Sequence, residues 1–346
     1  MPLSARSRWL LAAAGALVVA LVVTLVVITR SGGGQPSAAT LPLRLAGEVA
    51  LPGDSSRFDY ASLDADRGLL FVAHLGAGEV VEVDIRAHRV VRTIPNLAQV
   101  HGVLVVPALH LVFATATGAN QMVALDEDTG AVLTQAATGD YPDGLAYDPR
   151  RGAIWTTNES GGSETVIDAT TGAVRGTVTL GGEVGNVVYD PTSDRILVAV
   201  QGHNELAVID PAYLVVERRV PLPGCEHDHG LALDATDRLA FVACDGNATL
   251  LTIDLTGWQV TGTDRVGEDP DVLAYDQSAH RLYVAAESGT VTLLDLSERR
   301  LTVAGSTHLA DGAHVVAVDP TTHHSFYPVP TGTGGRPALL EREPAP

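Results

Sequence analysis

A unit of about 42 residues recurs from residue 45 almost to the C-terminus, and few folds accommodate such a period. Its clearest copy begins Cys225-Glu226-His227-Asp228-His229-Gly230. An apolar run to Asp234 follows, then an aromatic-led run from Phe241 to Cys244 and a third run ending Ile253-Asp254. Aligned on the residue before each opening apolar run, the copies start at Asp59, His101, Asp143, Gly185, His229, Asp271 and His314, spaced 42, 42, 42, 44, 42 and 43 apart. Twelve residues on stand Phe71, Phe113, Trp155, Leu197, Phe241, Tyr283 and Phe326. An aspartate closes the third run in six copies: Asp84, Asp126, Asp168, Asp210, Asp254 and Asp295. A period of roughly 40–45 residues carrying about four short strands marks a β-propeller, one blade per repeat. Seven starts predict seven blades.

The runs, such as Leu231-Ala232-Leu233 and Phe241-Val242-Ala243, are short and apolar on both faces, as blades stacked on both sides require. Gly (35) and Pro (19) supply the tight turns between them. Glu48-Val49-Ala50-Leu51-Pro52-Gly53 parallels Arg219-Val220-Pro221-Leu222-Pro223-Gly224, the outer strand before the fifth start, yet no blade precedes it. The seventh unit has runs at 314–319, 325–329 and about 336–342, and then the chain ends. The N-terminal strand is therefore expected to complete the last blade and close the ring, which removes exposed sheet edges. The expected fold is all-β, a seven-bladed propeller over 41–346.

Residues 9–28 are twenty nearly uninterrupted apolar positions, the length that crosses a bilayer as a helix. Arg6 and Arg8 precede this span and only Arg30 directly follows it, so residues 1–8 are expected in the cytoplasm and the propeller outside. The span is longer than a signal-peptide core, which favours an uncleaved signal anchor over cleavage near Ala38-Ala39. Residues 29–40, with Ser31-Gly32-Gly33-Gly34-Gln35-Pro36-Ser37, read as a flexible linker. The whole chain carries 41 acids against 22 bases, all arginine, and a surface so acidic repels phosphate backbones, which argues against nucleic acid as a partner.

Tyr283-Val284-Ala285-Ala286-Glu287-Ser288-Gly289-Thr290-Val291-Thr292-Leu293-Leu294-Asp295 resembles the repeat of the YVTN-repeat, YncE-like β-propellers, and Asp168-Ala169-Thr170-Thr171-Gly172-Ala173-Val174 matches its following turn. The resemblance covers the whole propeller, although Thr-Asn after Tyr-Val is seldom kept and Trp155-Thr156-Thr157-Asn158 is the nearest relic. It implies an extracytoplasmic seven-bladed propeller and no single activity.

In a propeller the innermost strand of each blade starts at the central channel, so the seven start residues form a ring at one mouth. Read around it, carboxylate and imidazole alternate from Asp59 through His101, Asp143, His229 and Asp271 to His314, broken only at Gly185, where Asn186 follows. Such a set suits a divalent metal on mixed N/O donors, with His101, His229, His314 and Asp271 as the expected ligands. Alternatively, Asp–His pairs orient imidazoles as bases, or simply satisfy one another in a water-filled channel. The second strand returns to the same mouth, which adds His74, Asn158, Gln201, Cys244 and Glu287 as an outer tier. The residues two before each start add Arg57, Tyr141, His227 and Asp269. His74, Asn158 and His227 are the first candidates among these for ligand contact, in a mostly anionic funnel suited to a cationic or metal-bearing ligand.

Cys225 and Cys244 fall at that mouth too, and in an oxidising compartment are expected to form a disulfide sooner than a Cys225/His227/His229/Cys244 metal site. The aspartates Asp64, Asp148, Asp190, Asp234, Asp276 and Asp319 are expected to be turn residues. The functional expectation is a membrane-tethered scaffold that binds a ligand, metal or protein at the channel mouth. A metal-dependent, lactonase-like hydrolase is the alternative, and a surface that binds partners through blade rims is a third. No serine elbow or zinc-protease motif supports an enzyme.

Overall fold

The computed structural model describes residues 40–345. They form seven four-stranded antiparallel sheets, and in six of these the four strands follow one another along the chain. Blade one comprises Ala61–Asp64, Leu69–His74, Glu79–Asp84 and Arg89–Ile94, and the same order repeats in blades two to six. The first strands of successive blades neighbour one another right round the ring, which makes them its inner wall.

The seventh sheet is made from both ends of the chain. Ala317–Val318, Ser325–Val329 and Ala338–Pro344 take Leu43–Ala50 as their outermost strand, paired from Leu43 opposite Pro344 to Ala50 opposite Ala338. The expected closure is therefore present, with a shifted boundary. The closing strand lies at 43–50 and not 48–53, because Pro52 and Gly53 turn the chain inward, with Gly53 at φ +89°. Its partner correspondingly ends at Pro344, two residues later than expected. The expected membrane span, 9–28, lies outside the described residues. Among those described, no helix is long and apolar enough to cross a membrane.

Seven apolar clusters hold the ring, one at each junction between blades. Phe71 packs with Val112 between blades one and two. Phe113 packs with Ile154, Trp155 with Ile196 and Leu197 with Val242. Phe241 with Leu282, Tyr283 with Tyr327 and Phe326 with Leu70 complete the circuit. The residue twelve after each start is thus the knob that joins its blade to the next, and each is fully buried or nearly so. Burying one such side chain contributes about 1.5–3 kcal/mol, so loss of any one weakens a whole junction. Val49 and Leu51 belong to the last cluster, which makes ring closure a hydrophobic event as well as a strand pairing.

Candidate functional site: the acidic mouth of the channel

Backbone irregularity aims the ring residues. In four blades the residue two before the start is left-handed: Gln99 (φ 49°), Tyr141 (φ 58°), His227 (φ 62°) and Asp269 (φ 53°). In the same blades the ladder to the second strand shifts register across the start. Val100 pairs with Ala116 but Val103 with Ala114, and the matching slips are Pro142/Leu145, Asp228/Leu231 and Pro270/Leu273. Each slip is a bulge of one extra residue, which turns His101, Asp143, His229 and Asp271 out of the ordinary alternation. Glycine makes the close approach possible. A Cβ at Gly102 would lie 2.2 Å from the Asp143 carbonyl oxygen, and one at Gly230 would lie 2.1 Å from that of Asp271.

The result is a cavity of about 520 Å³ at one mouth, lined by seven carboxylates and a single arginine, Arg57. Asp59, Asp143 and Asp271 sit at its floor, nearly fully buried. His229 Nε2 lies 3.3 Å from Asp271 Oδ1, and Gln201 holds its Nδ1. His101 Nδ1 lies 2.9 Å from the Gln99 carbonyl oxygen and its Nε2 3.1 Å from Tyr141 Oη. Tyr60 Oη is 3.4 Å from Asp143 Oδ2 and 3.3 Å from His229 Nε2, closing the floor between blades one, three and five. Tyr60 also lines a second stretch of channel of about 310 Å³, together with Leu63, Leu145, Asn186, Leu231 and Val318.

The electrostatics are uneven. Burial pushes the Asp143 carboxyl well above the usual range, and the Asp59 charge pushes it further. Burial opposes a charge on His229, but the hydrogen bond and charge of Asp271, with Asp143 and Glu159, outweigh it and raise the imidazole to about 10. Burial likewise raises Asp271, yet His229, His314 and Arg57 together hold it below its ordinary value. The mouth has more buried carboxylate than its own bases neutralise, and the excess bears most on Asp143, whose ionised form burial and Asp59 disfavour.

The expected ring is therefore assembled, but not as one ligand set. At the mouth, two groups of three have donor atoms within 4.8 Å of one another: Asp59/His101/Asp143 and Asp59/Asp271/His314. His229 belongs to neither, so the expected set of His101, His229, His314 and Asp271 does not converge on one point. The outer tier also needs correction. His74 and Asn158 are the last residues of their second strands, and strand alternation turns both into the protein. His74 stacks on Phe58 with ring centroids 4.1 Å apart and its Nε2 lies 3.1 Å from Ser56 Oγ. Asn158 accepts from the Gly139 amide at 2.8 Å and donates to Ser163 and Thr165, each at 3.0 Å, as a strut between turns.

The lining position is one residue later, sixteen after each start, where Leu75, Glu159, Gln201, Asp245 and Glu287 stand. Sequence reasoning missed Glu159, Asp245 and the floor residue Tyr60; the uniform spacing of sixteen could have found the first two. His227 does line the mouth, with Nδ1 2.8 Å from Asp245 Oδ1. Cys225 and Cys244 form the expected disulfide, Cα–Cα 5.4 Å, and so neither sulfur is a thiolate ligand.

No protein-family model matches this sequence, and none of the curated proteins compared with it matches either. Among solved structures, hydrazine synthase of Kuenenia stuttgartiensis superposes with a TM-score of 0.69 over 86% of this chain and 96% of that one, at 14% identity. The likeness is one of fold. It agrees with the seven sheets counted above, and the family suggested by the repeat is left without support from these comparisons.

Proposed function

We propose that this chain is a binding module of the YncE-like kind, tethered to the membrane by residues 9–28 with its propeller on the extracytoplasmic side, and that the channel mouth takes a small cationic ligand. The observation that carries the reading is the excess of seven acidic side chains over one arginine and three histidines around a cavity of about 520 Å³. A pocket of that size accommodates a small molecule, and walls of one sign concentrate a ligand of the other. Calorimetry on the full chain in detergent, with spermidine as the probe, tests it. The triple variant Glu159→Gln/Asp245→Asn/Asp269→Asn is expected to bind roughly tenfold more weakly, a loss of about 1.4 kcal/mol. Binding is also expected to weaken with salt. Equal affinity in parent and variant would sink the reading.

A second reading, a metal-dependent hydrolase of the lactonase kind, draws on the Asp59/His101/Asp143 group. All three are buried at the cavity floor, with Tyr141 beside the imidazole. Lactone hydrolysis that depends on added Mn²⁺ or Zn²⁺ and is lost in His101→Ala would favour it. A partner on the blade rims is the outcome left if neither assay responds.

A further inference from the structure

Resting on the reading of the mouth as a cation site, we infer that Asp59, Asp271 and His314 form a divalent-metal site in which Arg57 is the resident counter-ion that an arriving metal must displace. Of the two groups of three, this one is built and left open. His314 is 98% buried in effect, with only 2% of its surface exposed, and neither ring nitrogen meets a hydrogen-bond partner among the described residues. Its Nε2 is aimed between the carboxylates, 3.6 Å from Asp59 Oδ1 and 4.0 Å from Asp271 Oδ2. Donor atoms held at about 2.1 Å from one ion lie roughly 3–4 Å apart, so this spacing needs little adjustment. Its Nδ1 faces Glu287 Oε2 at 3.4 Å, the place of the carboxylate that commonly orients a ligating histidine. His101, in the other group, already has a partner at each nitrogen. Two carboxylates and one imidazole suit Zn²⁺, Mn²⁺ or Fe²⁺ better than Cu⁺.

Arg57 occupies the charge position of that ion without filling its coordination. Its Nη2 lies 3.1 Å from Asp59 Oδ1 and 3.7 Å from Asp271 Oδ2, and its Nη1 is paired with Glu287. Thus the carboxylate oxygens that face His314 are the ones the guanidinium covers. The side chain is 43% exposed, so it can swing into the open cavity without unpacking the ring. A metal that takes its place exchanges one delocalised positive charge for two on a point, and supplies the partner that His314 lacks.

The test is Zn²⁺ and Mn²⁺ titration of the full chain in detergent, comparing parent, Arg57→Gln and Arg57→Gln/His314→Ala, with thermal melts to confirm that all three fold. Arg57→Gln is expected to tighten metal binding at least about tenfold, and His314→Ala to reverse that gain. Unchanged or weaker binding in Arg57→Gln overturns the proposal. So does a gain that survives His314→Ala, because mere removal of a positive charge would favour any cation without needing the imidazole. Should the double variant melt early, Arg57→Gln/His314→Gln replaces it under the same criteria. Spermidine titration of the same proteins separates the two readings. Loss of the metal result with spermidine binding retained removes only the metal site, whereas loss of both removes the cationic mouth as well.

Discussion

Asp143 and Asp148 stand near the two ends of one strand, Pro142–Asp148, and both are buried, yet they are opposite kinds of residue. Asp148 is satisfied by its own turn. Its Oδ1 accepts from the amides of Arg150 at 3.0 Å and Arg151 at 3.1 Å, and the Arg151 guanidinium donates to Oδ2 at 2.9 Å. The same local pattern recurs on that face at Asp64, Asp234 and Asp276. Asp143 has no such turn. The hydroxyl nearest its carboxylate belongs to Tyr60 of another blade, at 3.4 Å, and the charges around it are Asp59, Glu159 and Asp271 against His229. A buried carboxylate that its own next three residues complete is architecture; one that must wait for other blades, and is still short of cations, is where a ligand has something to add.

Four measurements break or sharpen that contrast. The largest effect is expected at the mouth, where a covalent bond does what Asx turns do at the other face. Cys225→Ala/Cys244→Ala opens a loop of sequence separation 19 and is expected to cost about 3 kcal/mol in denaturant unfolding. The parent under reducing conditions should show a comparable loss, and identical midpoints would mean that the bridge holds nothing. Next, Asp148→Ala strands the two backbone amides of Arg150 and Arg151, while the Arg151 guanidinium keeps Asp194, so a loss of about 1–3 kcal/mol is expected.

Third comes a buried acid that belongs to neither face. Glu164 is buried in blade three with both carboxylate oxygens unpartnered among the described residues, at a position where other blades carry Val80, Met122, Leu206 and Leu250. Burial alone raises its pKa well above the ordinary 4.5. Above pH 4.5 the folded chain therefore holds a proton that the unfolded chain has released, and stability must fall as pH rises. Glu164→Leu is expected to gain about 1–2 kcal/mol at neutral pH and to flatten that fall. A variant with the parent's pH slope would show the carboxyl to be solvated after all.

The smallest effect is expected at Asp143. Because burial and the Asp59 charge disfavour the ionised form of its carboxyl, Asp143→Asn should leave unfolding free energy within about 0.5 kcal/mol. A loss as large as that of Asp148→Ala would erase the distinction between the two faces.

Much of this architecture is legible in the chain. The 42-residue spacing, the aromatic twelve after each start and the orphan strand before Asp59 suffice for seven blades and their closure, because each reports a contact that every blade repeats. The disulfide and the turn aspartates are legible for a related reason, since their partners are near in sequence or fall at one end of one blade. The alternation of Asp and His at the starts located the mouth, but His74 and Asn158 were placed on the wrong side of their strands by a single residue, and a period of two forgives no such slip.

What the amino-acid sequence by itself determined, then, is everything that repeats: the blade, the number of blades, the ring of polar starts and the acidity of the domain. Only the tertiary structure decided how the ring divides. That Asp59 stands between His101 and His314, that Arg57 lies across Asp59 and Asp271, and that Tyr60 closes the floor depend on bulges, on glycines that let one blade touch the carbonyl of the next, and on side chains that meet across the axis. Repetition encodes contacts within a blade and between neighbours. The axis is where non-neighbouring blades meet, and no spacing along the chain records which of their side chains face one another there.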